Sequence, residues 1–149
     1  MRVLDPVSLV LRKKGCDIWS IPSDTTVYSA MQMMADKDVG ALLVMDRGRL
    51  VGLISERDYA RKVILLGRGS KDTLAREIMT ASPITILPEC SVDEAMRLIT
   101  TNRIRHLPVV RDGEILGMIS IGDLVNWISS AQDQTIEQLE HYIEGKYPC

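Results

Sequence analysis

The chain repeats itself, and that repetition limits the possible folds more than any other feature of the sequence. Shifted by 65 positions, residues 19–63 lie on residues 84–128 without a gap, and 11 of the 45 pairs are identical. The identities are Ile21/Ile86, Val27/Val92, Ala30/Ala95, Met31/Met96, Leu42/Leu107, Val44/Val109, Gly48/Gly113, Gly52/Gly117, Ile54/Ile119, Ser55/Ser120 and Asp58/Asp123. They fall on turn glycines, on apolar positions and on one polar motif, whereas chance matches would scatter. The 149 residues divide into an entry (1–18), a first repeat (19–63), a connector (64–83), a second repeat (84–128) and a tail (129–149).

Each copy predicts the same run of elements. A strand over 18–21 or 84–87 leads into a helix whose apolar residues are Val27, Ala30, Met31 and Met34, or Val92, Ala95, Met96 and Ile99. That i, i+3, i+4, i+7 spacing is one face of a helix. Thr26 and Ser91 precede these faces and suit the N-cap. Two strands follow around Arg47-Gly48 or Asp112-Gly113, pairs that favour tight hairpins. A further helix begins near Glu56 or Ile121. The unit is β-α-β-β-α, an α/β (α+β) architecture of two repeats with flanking N- and C-terminal helices.

Outside the copies, residues 1–15 are expected to form a helix capped by Asp5, with Pro6 in its first position and Gly15 as its stop. The connector reads as a loop (GRGSKDT) and a short helix or turn (TLAREIM). Its glycines lack the spacing of a P-loop. The tail continues the last helix, with Ile136, Leu139 and Ile143 on one stripe and Glu137, Glu140 and Glu144 on another. It suits either an intramolecular clasp or a dimer contact.

The repeated polar motif is Gly-x-Ile-Ser-x-x-Asp, at Gly52–Asp58 and Gly117–Asp123. One reading is a helix cap: the serine accepts a backbone N–H, and the carboxylate suits the positive end of the helix. The other uses the same geometry for a ligand. A carboxylate can accept both hydroxyls of a ribose cis-diol, and a helix N-terminus can approach a phosphate. The glycine on the preceding strand would then leave room for a flat ring such as a purine. The two readings are compatible, and duplication of both polar residues favours the second.

Composition excludes several classes. Lys plus Arg is 18 and Asp plus Glu is 20, a net charge of -2. Affinity for nucleic acid comes largely from neutralising phosphates, so this charge balance argues against RNA or DNA as a partner. No apolar run reaches the length of a membrane-spanning helix, and the N-terminal residues lack the pattern of a signal peptide. The three cysteines, with no CxxC pair, fit a reducing compartment such as the cytoplasm. His106 and His141 have no partner nucleophile at a recognisable spacing, so no catalytic set emerges.

The duplicated β-α-β-β-α unit ending in Gly-x-Ile-Ser-x-x-Asp resembles a pair of CBS domains (cystathionine beta-synthase domains), also called a Bateman module. The stretches SERDYARKVILLGRGSKDTLAREIMT, NRIRHLPVVRDGEILGMISIGDLV and LEHYIEGKYP resemble stand-alone CBS-pair proteins of bacteria and plant organelles. The resemblance covers nearly the whole chain. It implies a pseudo-twofold module that binds adenosine-containing ligands (AMP, ADP, ATP, NAD or S-adenosylmethionine) in clefts between the repeats, without a metal.

By the same resemblance, Ser55 with Asp58 and Ser120 with Asp123 would hold ribose. Ile18 and Trp19 in the first copy, and Ile84 and Thr85 in the second, would flank adenine. Arg103, Arg105 and His106 would reach phosphates, with Arg57 adding charge on the first side. Gly40 and Ala41 stand where the second copy has Arg105 and His106, so the two sites are not expected to be equivalent. Each residue also has a plain role open to it. His106 could bond a backbone carbonyl at a strand entry, the arginines could be a solvated face, and Trp19 could be core.

Function then divides two ways. On the first expectation the chain is a non-enzymatic, homodimeric sensor of adenine nucleotides that signals to an unknown protein target. Alternatively, it regulates a thioredoxin-type or other partner while its nucleotide is only structural.

Overall fold

The computed structural model describes residues 3–15 and 17–131. Its first helix, α1, spans Val7–Lys14, and Pro6 rather than Asp5 occupies its N-cap position. The expected Asp5 cap is replaced for a backbone reason. Pro6 is extended (φ -71°, ψ 147°), and the Asp5 carbonyl accepts the Val92 N–H at 2.9 Å. The Asp5 carboxylate instead accepts the Trp127 indole N–H at 2.9 Å. Gly15 does end the helix, at φ 98°, and its N–H bonds the Leu11 carbonyl, a backbone conformation open mainly to glycine.

The first repeat follows. β1 is only Ser20–Ile21, shorter than the expected 18–21. Thr26 Oγ1 accepts the Ser29 N–H and starts α2, Val27–Lys37, which buries Val27, Ala30 and Met34. β2 (Ala41–Asp46) and β3 (Arg49–Ser55) form the expected hairpin. Its turn residues, Arg47 and Gly48, both have positive φ (51° and 75°), the twist that matches flanking strands. α3, Glu56–Tyr59, continues as a π turn over Ala60–Ile64. The connector supplies α4, Ala75–Ile78, and β4, Thr80–Ala81. One sheet results, in the order β1-β2-β3-β4.

The second repeat retraces this path. Ser91 Oγ accepts the Glu94 N–H at 3.1 Å and starts α5, Val92–Asn102, burying Val92, Ala95 and Ile99. The expected strand over 84–87 reduces to one parallel bridge, Ile86 to Val109. β5 (His106–Arg111) and β6 (Glu114–Ser120) pair as a two-stranded sheet. Asp112 and Gly113 repeat the turn conformation, at φ 51° and 77°. Residues 121–131 form α6. The tail stripes at Ile136–Ile143 and Glu137–Glu144 lie outside the described residues.

Two compact units emerge. One contains Asp17–Thr85 with Asp112–Ile115; the other, among the described residues, contains 3–15, Ile86–Arg111 and 116–131. Each has its own core. Ile21, Val27, Ala30, Met34, Leu42, Val44 and Ile54 are buried in the first, and Ile86, Val92, Ala95, Ile99, Leu107, Val109 and Ile119 match them in the second. These pairs keep the 65-residue shift.

A second correspondence, with a shift of 68, is absent from the repeat. Residues 5–8 bond the start of α5 as residues 73–76 bond the start of α2. Val92 N–H meets the Asp5 carbonyl and Val27 N–H meets that of Thr73; Val7 N–H meets Cys90 and Ala75 N–H meets Thr25. Val7 and Val10 enter one core, and Ala75 and Ile78 enter the other. Thus α1 serves the second repeat as α4 serves the first.

Candidate functional site

Each repeat presents its serine and aspartate at the start of a helix. In the first, the Ser55 N–H donates to Asp58 Oδ2 at 3.0 Å, and the Asp58 N–H donates back to Ser55 Oγ at 3.2 Å. In the second, the Ser120 N–H donates to Asp123 Oδ2 at 2.8 Å, and the Asp123 N–H to Ser120 Oγ at 3.1 Å. Both are reciprocal capping boxes, which satisfy orphan donors at a helix start. The cap reading is therefore realised in both copies. It orients each carboxylate and leaves acceptor capacity on Oδ1, since a carboxylate offers about four acceptor sites.

Each carboxylate also meets one ammonium group, and sequence reading found neither. Lys62 Nζ lies 3.2 Å from Asp58 Oδ1, one turn along the same helix, and donates to the Ile78 carbonyl at 2.8 Å. In the second repeat the position matching Lys62 is Trp127. There the ammonium comes from α1: Lys14 Nζ lies 2.6 Å from Asp123 Oδ2 and donates to the Met118 carbonyl at 2.7 Å. Lys62 was legible as an i,i+4 partner of Asp58. Lys14 carried no signal, being 109 residues away.

The motif glycines have a different role from the one expected. They do not leave an empty place for a purine ring. A Cβ on Gly52 would collide with the Met79 side chain and stand 3.0 Å from the Thr80 carbonyl; one on Gly117 would lie 2.7 Å from Leu11 Cδ2. The strand is bare so that the chain itself can pack there. Leu11 and Met79 are partners under the 68-residue shift, so the same contact is built twice.

The remaining expected residues spread out along the chain. His106 is the half-buried first residue of β5. Arg103 closes α5 in the left-handed conformation (φ 53°). The Arg105 side chain is exposed, while its carbonyl accepts the Ile121 N–H at 2.8 Å, directly beside the Ser120 cap. The first copy repeats this bond between Glu56 and Gly40, with no charge at the matching position. Arg57 is half-buried inside the first motif.

Ile18 and Ile84 are exposed. Thr85 is exposed as well, and it falls with Ile84 in the residue range of the first unit. Trp19 is half-buried against the first core, with Lys37 Nζ 4.4 Å from its ring centre, and its carbonyl accepts the Leu43 N–H. Core packing and a cation–π contact thus account for much of Trp19.

Cys90 is a free thiol. Burial pushes its pKa up, and the charge of Glu94 adds to this. Among the described residues no cluster of three His, Cys, Asp or Glu could hold a metal ion, and no helix is long and apolar enough to cross a membrane.

Comparison with known proteins follows the duplicated geometry. The CBS domain model matches residues 11–64 and 75–130. The mitochondrial CBS domain-containing protein CBSX3 of Arabidopsis thaliana is 42% identical over 151 residues, covering 95% of this chain and 73% of that protein. Two other curated relatives from Arabidopsis thaliana are longer, and the match spans 24% of their length. A protein with CBS domains from Burkholderia ambifaria is 45% identical in its solved structure, with a TM-score of 0.82 and coverage of 85% and 96%. The CBS domain protein PAE2072 from Pyrobaculum aerophilum, solved in complex with AMP, is 29% identical, with a TM-score of 0.71 and coverage of 79% and 88%.

Proposed function

The chain belongs to the CBS domain family, and from that premise we propose that its two Ser-x-x-Asp motifs each take the ribose of an adenosine-containing ligand. AMP leads the candidates, with ADP, ATP, NAD and S-adenosylmethionine beside it. The observation that carries this reading is the duplicated cap. Asp58 and Asp123 stand in the same conformation at two helix starts, each with a carboxylate oxygen able to accept a hydroxyl. The AMP complex of the Pyrobaculum relative supports the ligand class.

In this reading Ser55 with Asp58 and Ser120 with Asp123 are ribose contacts. Ile18 and Ile84, apolar yet exposed, offer surface to adenine, with Trp19 and Thr85 beside them. Arg103, Arg105 and Arg57 supply cations for phosphate, with His106 as a further phosphate contact. The protein has no reaction to perform. Its ligand shifts a conformational equilibrium by binding one state more tightly than the other, and a homodimer passes that state to a protein target. The raised pKa of Cys90 disfavours its thiolate, the species that thiol exchange requires. The free thiol suits a reducing compartment such as the cytoplasm.

Thermal unfolding with each of the five ligands tests the reading. A ligand at 100 times its Kd adds about 2.7 kcal/mol, or several degrees at this chain length. Asp58→Ala and Asp123→Ala should each remove part of the shift. Wild-type shifts in both variants would overturn the ribose assignment, and no shift with any ligand would overturn the sensor.

A further inference from the structure

The two ribose carboxylates are neutralised from different places, and the difference has a functional meaning. Lys62 belongs to the same helical run as Asp58 and also holds the Ile78 carbonyl at the end of α4. Lys14 stands at the C-terminal end of α1, and its ammonium shares Asp123 Oδ2 with the Ser120 N–H. A ribose diol that sets one hydroxyl on each oxygen of Asp123 meets Lys14 on Oδ2.

We propose that Lys14 is an unassigned residue of the Asp123 site and its internal competitor: it holds the carboxylate in the empty chain and leaves when ribose binds. This rests on the ribose role of Asp123 given above. The displaced ammonium keeps a second acceptor nearby, the Met118 carbonyl at 2.7 Å, so its release does not strand a charge. Leu11, one turn earlier, stays packed over Gly117. Displacement therefore loosens the last turn of α1 while its apolar half remains in the core. Occupancy of the Asp123 site is reported to α1.

The pair is partly exposed, with side-chain exposure of 38% and 21%, so the competition is weak. Removing it should tighten binding by about two- to five-fold. AMP titrations by calorimetry in an Asp58→Ala background read the Asp123 site alone. Lys14→Met should bind AMP more tightly by that factor, and Lys14→Arg should stay near the parent. Unchanged or weaker binding by Lys14→Met, with AMP binding still lost in Asp123→Ala, overturns the competitor and leaves the ribose reading standing. AMP binding that survives Asp123→Ala overturns both. Hydrogen exchange on the unaltered chain needs no variant. Saturating AMP should speed exchange of the Gly15 N–H, which bonds the Leu11 carbonyl at 2.8 Å. Unchanged protection there overturns the proposal as well.

Discussion

The Asp46 carboxylate accepts the Ser23 N–H at 3.0 Å and the Ser23 hydroxyl on its other oxygen. Those two bonds hold its pKa below the ordinary carboxylate value, the hydroxyl contributing most. A lowered native pKa means that the unfolded chain takes up the proton first. The stabilisation is complete above about pH 4 and is lost as pH falls through the native value. Ser23→Ala should flatten the acid side of a stability-versus-pH curve measured by thermal melts between about pH 5 and pH 2. An unchanged slope would show that the bond is not maintained in solution. Residues of this kind differ in how visible they are in the sequence. Ser55 and Asp58 were legible because a three-residue spacing is fixed by one helical turn and is repeated at Ser120 and Asp123. Lys14 was not legible, because nothing local links it to a carboxylate in another part of the chain.

At the scale of elements, both hairpins, both capped helices and both motif helices follow from short-range rules and appear where the sequence places them. The misses lie where one element leans on another. β4 lies in the connector, where Thr80 and Ala81 have no strand pattern of their own; they pair with Gly52 and Leu53 on β3. The motif glycines looked like space for a ligand because their occupants, Met79 and Leu11, come from other elements. This packing predicts an ordering of substitutions. Gly52→Ala meets the Met79 side chain and also the fixed Thr80 carbonyl, whereas Gly117→Ala meets only the movable end of Leu11. Overpacking costs about 1–3 kcal/mol, and Gly52→Ala should fall toward the upper end and Gly117→Ala toward the lower in urea unfolding. The reverse order would contradict the assigned contacts.

For the whole molecule, the relevant fact is which segment completes which unit. The 68-residue correspondence leaves no repeat in the sequence because residues 5–14 and 73–82 share no identical residue; they share only apolar positions spaced i, i+3, i+4. α1 buries Val7, Val10 and Leu11 in the second core. Each such side chain contributes about 1.5–3 kcal/mol, against a total of about 5–15 kcal/mol for a typical domain. A chain lacking residues 1–14 should therefore lose hydrogen-exchange protection in α5 while α2 keeps its own. Equal protection of the two helices would refute the dependence. The same arrangement bears on synthesis. The first unit has nearly all its parts once the connector leaves the ribosome. α1, made before either repeat, must wait for β6 and the helix after it. At about 5–20 residues per second, an apolar helix stays without its core for several seconds or more, in competition with any other surface it meets in that interval.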